Sequence, residues 1–270
     1  MMHKLEKKVI LIDVDGTLVA HGERCARPEV AAAVQEVQRR GVKIVIATGR
    51  TYFAMAPEIL GGIRPDYAVC ANGAQVLDGR GRLLASKDFT PEEMYALVDY
   101  FEDYSHPLAF CFADDYYVYV EYERMKAFYK QATGHDEYVR DGEDQTRHLQ
   151  SMPFGAFGIL PPAALDGFEA RYGHLGLQFV PYRPGYYDIN QHGMNKAVGM
   201  ARLAELAGWR PGELVSVGDN DNDVALMGFA GLSYCMASGS AKALAAAKRV
   251  APGVLENGVA AVAREVFLQP

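Results

Sequence analysis

The sequence ILIDVDGTL, residues 10–18, places two aspartates one residue apart at the end of an apolar run. The run begins at Val9 and is rich in β-branched residues, which is typical of a strand covered on both faces in a parallel sheet. Asp13 and Asp15 stand where this strand gives way to a turn, so we expect their carboxylates at the carboxyl end of the sheet. Ligands of open α/β sheets bind at that end. The stretch therefore indicates both a fold class and the position of a functional site.

Further apolar runs follow, with helical patterns between them. Proline at a first turn and glycine past a last turn predict a helix from about Pro28 to Gly41. We also predict a strand in VKIVIATGR, residues 42–50, a helix over about Tyr52–Leu60, and a strand in YAVCANGA, residues 67–74. Strands that alternate with helices through short links are typical of an α/β doubly wound, Rossmann-like parallel sheet.

The same pattern returns near the end of the chain. A helix is predicted from Asn195 to about Ala207, where Gly208 stops it, and a strand is predicted in ELVSVGD, residues 213–219. A helix from about Asn222 and a short strand at Leu232–Cys235 follow. The two ends of the chain are therefore expected to build one sheet.

Between these regions the pattern changes to that of a smaller α+β domain. We expect a helix to begin at a capping box formed by Thr90 and Glu93, and two strands to flank a turn at Asp114–Asp115. A strand, a helix and a strand follow, the last in LQFVPY at residues 177–182. We predict a core domain of residues 1–84 and 188–270 and an inserted domain of residues 85–187.

The composition is that of an ordinary globular protein and limits the partners that it can bind. Of the 270 residues, 50% are hydrophobic and 23% are charged, and the net charge is -7. This charge gives no general attraction to nucleic acid or anionic lipid. No apolar segment approaches the roughly 18 to 20 residues that span a bilayer, and the first apolar run is too short for a signal peptide. We predict a cytoplasmic protein that binds a small molecule, with no nucleic-acid or membrane partner.

The first two predicted strands end in residues suited to metal and phosphate chemistry. Asp13 and Asp15 are so close that a divalent cation is favoured to offset their repulsion, and oxygen ligands favour Mg²⁺. The alternative is an Asx turn that ends the strand, with Gly16 at a positive φ. Thr48 and Gly49 are suited to hold phosphate oxygens at a helix start, although a threonine N-cap explains the same pattern.

Two later motifs add to this chemistry. Lys196 lies in the first turn of a helix, where the helix dipole is unfavourable for a cation, so an anionic partner is one interpretation and a solvated surface lysine is the other. The motif VGDNDNDVALM, residues 217–227, delivers five acid or amide residues in a row after a strand. That density of hard oxygen ligands indicates a metal site. No GxGxxG follows the first strand, which disfavours a dinucleotide enzyme.

In this order, each at a predicted strand end or helix start, these motifs resemble those of the haloacid dehalogenase (HAD) superfamily of aspartate-nucleophile phosphotransferases. The resemblance covers the whole core domain, from DVDGT at residues 13–17 to GDNDND at residues 218–223. The insertion resembles the C2B cap of the Cof-type phosphatases, and ANGA, residues 71–74, is similar to that subfamily's NGA motif. The resemblance implies a Mg²⁺-dependent phosphatase of small phosphorylated metabolites, such as sugar phosphates or phosphorylated cofactors.

The resemblance also implies roles for single residues. Asp13 would be the nucleophile that forms an aspartyl-phosphate, and Asp15 would be the general acid and base. The metal ligands would all be oxygen atoms, from Asp13, the backbone carbonyl of Asp15, Asp219 and, in support or through water, Asp223. The phosphoryl group would be bound by Thr48, Gly49, Lys196 and Asn222.

Several features distinguish the implied activities. Asp15 stands where the pumps of the superfamily carry threonine, which favours hydrolysis of the phosphoenzyme over an ATPase. The chain departs from the subfamily at Ala197, which replaces the usual glycine after the lysine. The alternatives are a phosphomutase or a dedicated biosynthetic sugar phosphatase of the same cap class, and a non-catalytic regulatory protein of the same fold. Asp188 and His192 are candidates for substrate selection, with a loop polar group or cap as the alternative for each.

Overall fold

The computed structural model of the protein describes residues 7–55, 57–133 and 136–269. The chain forms two compact units. Met1–Ala85 and Asn195–Pro270 together make the core unit, and Ser86–Met194 makes the inserted unit. The core unit is therefore built from both ends of the chain.

The core unit contains an eight-stranded sheet. Numbered along the chain, its strands are β1 (Val9–Ile12), β2 (Lys43–Ala47), β3 (Tyr67–Cys70), β4 (Gln75–Asp78), β5 (Leu83–Ser86), β12 (Leu214–Gly218), β13 (Leu232–Met236) and β14 (Arg249–Ala251). Their order in the sheet is β14-β13-β12-β1-β2-β3-β4-β5, and neighbours from β14 to β3 are parallel. β4 pairs with β3 in the antiparallel sense. The predicted doubly wound parallel sheet is confirmed, and the strand order reverses beside β1.

Helices cover both faces of this sheet, and β1 shows how they pack. Ile10 and Ile12 join an apolar cluster with α1 (Pro28–Arg39) and α8 (Gly258–Ala263). Val9 and Leu11 point to the other face and join a cluster with α5 (Lys196–Ala207). All four side chains are fully buried, and each contributes about 1.5 to 3 kcal/mol of hydrophobic free energy. β1 is thus a rigid support for the residues that follow it.

One predicted helix of the core is wrong. Residues 52–55 and 57–60 form bends and turns instead of the helix that we expected over Tyr52–Leu60. Pro57 lacks an N–H group and its ring opposes a helix through the middle of the segment. Gly61 and Gly62 then adopt φ angles of 60° and 85°, which belong to a turn. The core also contains the α-helices α6 (Val224–Phe229) and α7 (Ala241–Ala246).

The inserted unit contains a six-stranded sheet in the order β10-β11-β9-β6-β7-β8. Its strands are β6 (Leu108–Cys111), β7 (Tyr116–Val120), β8 (Val139–Asp141), β9 (Gly155–Ile159), β10 (Gln178–Arg183) and β11 (Tyr186–Asn190), and its helices are α2 (Pro91–Asp103), α3 (Tyr122–Thr133) and α4 (Pro162–Tyr172). The pairs are antiparallel except β7 with β8. Phe101 of α2, Phe110 of β6 and Phe168 of α4 share one apolar core.

Two local predictions for this unit are confirmed. The Thr90 hydroxyl accepts the Glu93 N–H at 3.2 Å, and the Glu93 carboxylate accepts the Thr90 N–H at 2.7 Å, which completes the capping box of α2. β6 and β7 flank the turn at Asp114–Asp115 as expected. Within the described part of the chain, no helix is both long and apolar enough to cross a membrane.

Candidate active site

The central parallel strands bring three of the predicted site residues to one edge of the core sheet. Asp13 follows β1, Thr48 follows β2 and Asp219 follows β12. Ile12 of β1 is in register with Val217 of β12 and Ile46 of β2, so the three carboxyl ends lie side by side. This edge is also where the order of the strands reverses, the usual position of a ligand site in such sheets.

Three carboxylates gather at this edge. Asp13, Asp219 and Asp223 each offer an oxygen, and these oxygens lie within 4.8 Å of one another. Asp13 and Asp223 are almost completely buried. Burial raises the pKa of Asp13 well above its ordinary value, and the charges of Asp223 and Asp219 add to that rise, although Lys196 opposes it. Burial likewise raises the pKa of Asp219. Three ionised carboxylates this close together repel one another. Their hard oxygen atoms are suitable ligands for a divalent cation such as Mg²⁺, which would offset the repulsion.

Lys196 neutralises part of this charge. Its Nζ donates hydrogen bonds to Asp13 Oδ1 at 2.6 Å and to Asp223 Oδ1 at 2.7 Å, and the side chain is fully buried. Burial alone would lower the pKa of Lys196, but the two carboxylates raise it above its ordinary value. The ammonium group is therefore held charged at the centre of the site, and the interpretation as a solvated lysine is wrong.

Asp223 is fixed by the backbone as well as by Lys196. Its Oδ2 accepts the N–H groups of Asp219 at 3.0 Å and Asn220 at 3.2 Å, at the entrance to the turn Asp221–Asp223. A β-carbon on Gly218 would lie 2.5 Å from the Asp223 carboxyl carbon. Only glycine at the end of β12 therefore leaves room for the Asp223 side chain to pack against the strand. Asp223 thereby orients the loop that presents Asp219.

Thr17 and Gly16 hold Asp219 from the opposite side. The Thr17 hydroxyl donates to Asp219 Oδ1 at 2.8 Å. Gly16 adopts a φ of 87°, the conformation named with the Asx-turn alternative, and a β-carbon there would lie 2.4 Å from Asp219 Oδ2. The loop after β1 and the loop after β12 are thus packed in direct contact around one carboxylate.

The residues predicted to bind phosphate lie along the same edge. Thr48 is buried, and its Oγ1 accepts the Arg50 N–H at 3.1 Å. Gly49 lies between these two residues, half-buried. Asn222 donates from Nδ2 to Asn72 Oδ1 at 3.2 Å. The sequence predicts no role for Asn72, although the ANGA motif at residues 71–74 places it at a strand end.

Asp15 has a partner that the sequence reasoning missed. Arg50 donates from Nε to Asp15 Oδ2 at 2.8 Å and from Nη2 to Asp15 Oδ1 at 2.6 Å. The Asp15 carboxylate is not part of the cluster formed by the other three acids. Its predicted contact with the metal, through the backbone carbonyl, stays a prediction. The only available signal for Arg50 was its place directly after Thr48 and Gly49 at a strand end.

The two candidates for substrate selection belong to the inserted unit. Asp188 is half-buried on β11, opposite Phe157 of β9. His192 is exposed, and its backbone carbonyl accepts the Lys87 ammonium at 3.3 Å. A role in substrate selection stays a prediction for both.

A family model described as haloacid dehalogenase-like hydrolase matches residues 10–262 of the chain. Among curated relatives, a 5-amino-6-(5-phospho-D-ribitylamino)uracil phosphatase of Escherichia coli (YbjI) is 26% identical and the alignment covers 96% of each chain. A pyridoxal phosphate phosphatase of the same organism (YbhA) is 23% identical, with 85% of this chain and 87% of the relative covered.

Solved structures with the same fold include phosphatases of this superfamily. The protein BT1666 of Bacteroides thetaiotaomicron aligns with a TM-score of 0.85 and 22% identity, over 98% of this chain and 96% of the other. The HAD subclass IIB sugar phosphatase BT4131 aligns with a TM-score of 0.79 and 19% identity, over 96% and 98% of the two chains. At these identities the likeness concerns the fold, including the inserted domain.

Proposed function

This chain belongs to the haloacid dehalogenase-like hydrolases, and we propose that it is a Mg²⁺-dependent phosphatase of small phosphorylated metabolites that acts through an aspartyl-phosphate intermediate. The observation that carries the proposal is the buried contact of 2.6 Å between Lys196 Nζ and Asp13 Oδ1 beside Asp219 and Asp223. One carboxylate of the group is thereby oriented at the end of a rigid strand, with cationic charge next to it. Phosphoryl transfer requires mainly such positioning and neutralisation of charge.

In the first half of the reaction an Asp13 oxygen attacks phosphorus, and the bond from phosphorus to the ester oxygen breaks. The leaving oxygen takes a proton from Asp15. In the second half Asp15 takes a proton from water, whose oxygen attacks phosphorus and releases phosphate and the Asp13 carboxylate. Asp15 is suited to both steps because it stands two residues from Asp13 but outside the buried cluster.

The remaining residues would bind the metal and the phosphoryl oxygens. Mg²⁺ would be held by Asp13, the backbone carbonyl of Asp15, and Asp219, with Asp223 in a supporting position because its oxygens accept Lys196 and two backbone N–H groups. Bound there, the ion would supply positive charge to the phosphoryl oxygens. The groups that would bind those oxygens are Thr48, Gly49, Lys196 and Asn222.

The substrate class follows from the relatives as well as from the site. Relatives over nearly the full length are named as phosphatases of a ribitylamino-uracil phosphate and of pyridoxal phosphate. We propose sugar phosphates or phosphorylated cofactors for this chain, with the inserted unit, predicted at residues 85–187, as the C2B-type cap. The cytoplasmic location predicted from the sequence stays a prediction.

The test is phosphate release from p-nitrophenyl phosphate and from a panel of sugar phosphates, nucleotides and pyridoxal phosphate. We expect activity with Mg²⁺, loss of activity in EDTA, and a loss of at least about 10³-fold in Asp13→Asn. Asp221→Asn is the matched control, because Asp221 lies in the same acidic motif but pairs with Lys242 and Ser240 at the surface. Equal activity in Asp13→Asn and Asp221→Asn would refute the mechanism. Transfer of the phosphoryl group to a second sugar instead of water would identify a phosphomutase.

A further inference from the structure

A groove on the core unit lies at the edge of the sheet opposite the candidate active site. It forms a cavity of about 610 Å³ at the start of β2, the loop before β3 and the hairpin turn between β4 and β5. Lys43 and Tyr67, the first residues of β2 and β3, line it, whereas the candidate site follows the last residues of those strands. At about 3.3 Å per residue, the five residues of β2 separate the two edges by roughly 16 Å. The groove is therefore distinct from the candidate active site.

The lining of this groove is cationic on a chain that is acidic overall. Two acidic side chains, Asp66 and Asp78, contribute to it. Four cations against these two acids leave a net charge of +2, whereas the whole chain carries -7. Such a local reversal of charge favours an anion over a cation or a neutral ligand. We call the cavity the cationic groove, and its cations are Lys43, Arg64, Arg80 and Arg82.

The two acids of the cationic groove already have partners within the chain. Asp66 Oδ1 accepts a hydrogen bond from Lys43 Nζ at 2.8 Å. Asp78 Oδ2 accepts Arg82 Nε at 2.7 Å, and Asp78 Oδ1 accepts the N–H groups of Arg80 and Arg82, each at 2.9 Å. Each acid therefore neutralises one cation, Lys43 or Arg82.

The guanidinium groups of Arg64 and Arg80 carry the charge that is left. Across residues 7–55, 57–133 and 136–269, neither guanidinium forms a hydrogen bond or an ion pair, and both residues are exposed. Their backbones are nevertheless held, because the Arg64 carbonyl accepts Gln38 Nε2 at 2.8 Å and the Arg80 N–H donates to Asp78. A guanidinium presents its donors in a planar fork that matches phosphate and carboxylate oxygens. The cationic groove thus has two such forks available for a ligand.

Close backbone packing forms the floor of the cationic groove. A β-carbon on Gly79 would lie 2.5 Å from the Pro65 carbonyl oxygen and 3.1 Å from that of Asp66, so the hairpin turn lies directly against the loop before β3. The turn itself is closed by the Gly81 N–H, which donates to the Asp78 carbonyl at 2.9 Å. The two segments that carry the unpaired arginines are therefore fixed next to each other before any ligand binds.

We propose that the cationic groove is a second ligand site, which binds a small anion through a diphosphate group. Two unpaired guanidinium groups line one cavity, and a diphosphate offers both the oxygen atoms and the negative charge that two forks require. A single carboxylate would occupy one fork only. The volume lies within the range of about 300 to 1,000 Å³ that is usual for small-molecule sites. The proposal concerns binding alone and does not depend on the proposed phosphatase function.

The experiment is isothermal titration calorimetry of inorganic pyrophosphate into the full chain, in EDTA and at constant ionic strength. Without Mg²⁺, the three acids of the candidate active site repel an anion. We expect the wild type to bind with a Kd below about 1 mM. Arg64→Ala and Arg80→Ala should each weaken binding by roughly 5- to 10-fold, and the double variant should weaken it further. Acetate should not bind detectably.

Two further variants separate the shape of the groove from the charge of the chain. Arg210→Ala removes an exposed guanidinium of the core unit that lies 3.7 Å from Glu213 and outside the groove, so it should bind pyrophosphate like the wild type. Gly79→Ala keeps all four cations but forces the hairpin turn away from Pro65, so it should weaken binding. Urea denaturation checks that each variant is folded at the temperature of the titration.

Equal pyrophosphate affinity in the wild type and the double variant would overturn the proposal, and so would no binding at about 10 mM. An equal loss in Arg210→Ala would overturn it too, since net charge would then explain the attraction. Titration of ADP distinguishes two sources of the same group: tighter binding than pyrophosphate supports a nucleotide, and equal binding supports a free diphosphate. Because no turnover is measured, these outcomes leave the phosphatase proposal intact, and loss of phosphatase activity alone leaves the cationic groove intact.

Discussion

At the scale of single residues, the site explains why glycine follows the two aspartates. The turn after Asp15 holds residue 16 at a φ of 87°, a backbone conformation that favours glycine. Gly22 has the same φ of 87°, but no atom lies within 4 Å of the β-carbon that a larger residue would place there. At Gly16 that β-carbon would lie 2.4 Å from Asp219 Oδ2. The backbone requirement is shared, and the close approach to the Asp219 carboxylate is specific to Gly16.

We predict that Gly16→Ala raises the Mg²⁺ concentration needed for half-maximal activity by at least about 10-fold, because the methyl group displaces the Asp219 carboxylate. Gly22→Ala should keep the Mg²⁺ requirement of the wild type. Both variants should lose about 1 to 3 kcal/mol of unfolding free energy from backbone strain. Magnesium titration of phosphatase activity and urea denaturation measure the two effects. An unchanged Mg²⁺ requirement in Gly16→Ala would contradict the contact with Asp219.

At the scale of elements, the start of α5 carries the main cation of the site. Asn195 caps this helix, and its Oδ1 accepts the N–H groups of Ala197 at 3.0 Å and Val198 at 3.2 Å. Lys196 follows as the first helical residue, where the helix dipole opposes a positive charge. The contacts with Asp13 and Asp223 offset that cost. The N-cap therefore fixes the direction from which Lys196 enters the site.

We predict that Asn195→Ala lowers the unfolding free energy by about 1 kcal/mol and also lowers kcat, because the first turn of α5 loses the bonds that fix it. Asn195→Ser keeps a capping oxygen and should retain most of both properties. Thr90→Ala is the matched control, since it removes the cap of α2 in the inserted unit. Thr90→Ala should lower the unfolding free energy by a similar amount, and kcat should not change below the unfolding temperature. Full activity in Asn195→Ala would show that the cap does not position Lys196.

At the scale of the whole molecule, the two ends of the core strands hold acidic side chains in different surroundings. The carboxyl ends of the strands hold the crowded acids of the candidate site. Near the start of β2, Asp66 instead accepts hydrogen bonds from the Ile44 N–H at 2.9 Å, Lys43 Nζ at 2.8 Å and Gln38 Nε2 at 3.0 Å. Burial alone would raise the pKa of Asp66, but these three bonds together lower it below its ordinary value of 3.8. This edge stabilises the fold that supports the opposite edge.

We predict a pH-dependent contribution of Asp66 to stability. A carboxyl group whose pKa is lower in the folded chain stabilises the fold above its unfolded pKa, and this contribution is lost as the pH falls through the folded value. Asp66→Asn should therefore cost about 1 kcal/mol at neutral pH, and its difference from the wild type should shrink as the pH falls below 3.8. Urea denaturation across that pH range measures the difference. A difference that does not change with pH would contradict the role of the charge.

Local sequence signals predicted most of the fold because they act over a few residues. The apolar run before Asp13, the proline and glycine that bound α1, and the Thr90–Glu93 box each specify an element within one or two turns. The helix expected over Tyr52–Leu60 does not form, for a local reason too, because Pro57 lies in the middle of the segment and opposes a helix there. Elements and their order were thus within reach of the sequence.

The sequence by itself determined that two aspartates, a Thr-Gly pair, a lysine and an acidic run would each stand at the end of a strand or the start of a helix. Only the tertiary structure decided their partners. Lys196 contacts acids 183 and 27 positions away, and Arg50 contacts an acid 35 positions away. Such pairs form because parallel strands bring distant loops to one edge of a sheet, and no local preference encodes which side chains meet there. The physical reason is that burial and charge at the site depend on the packing of the entire core.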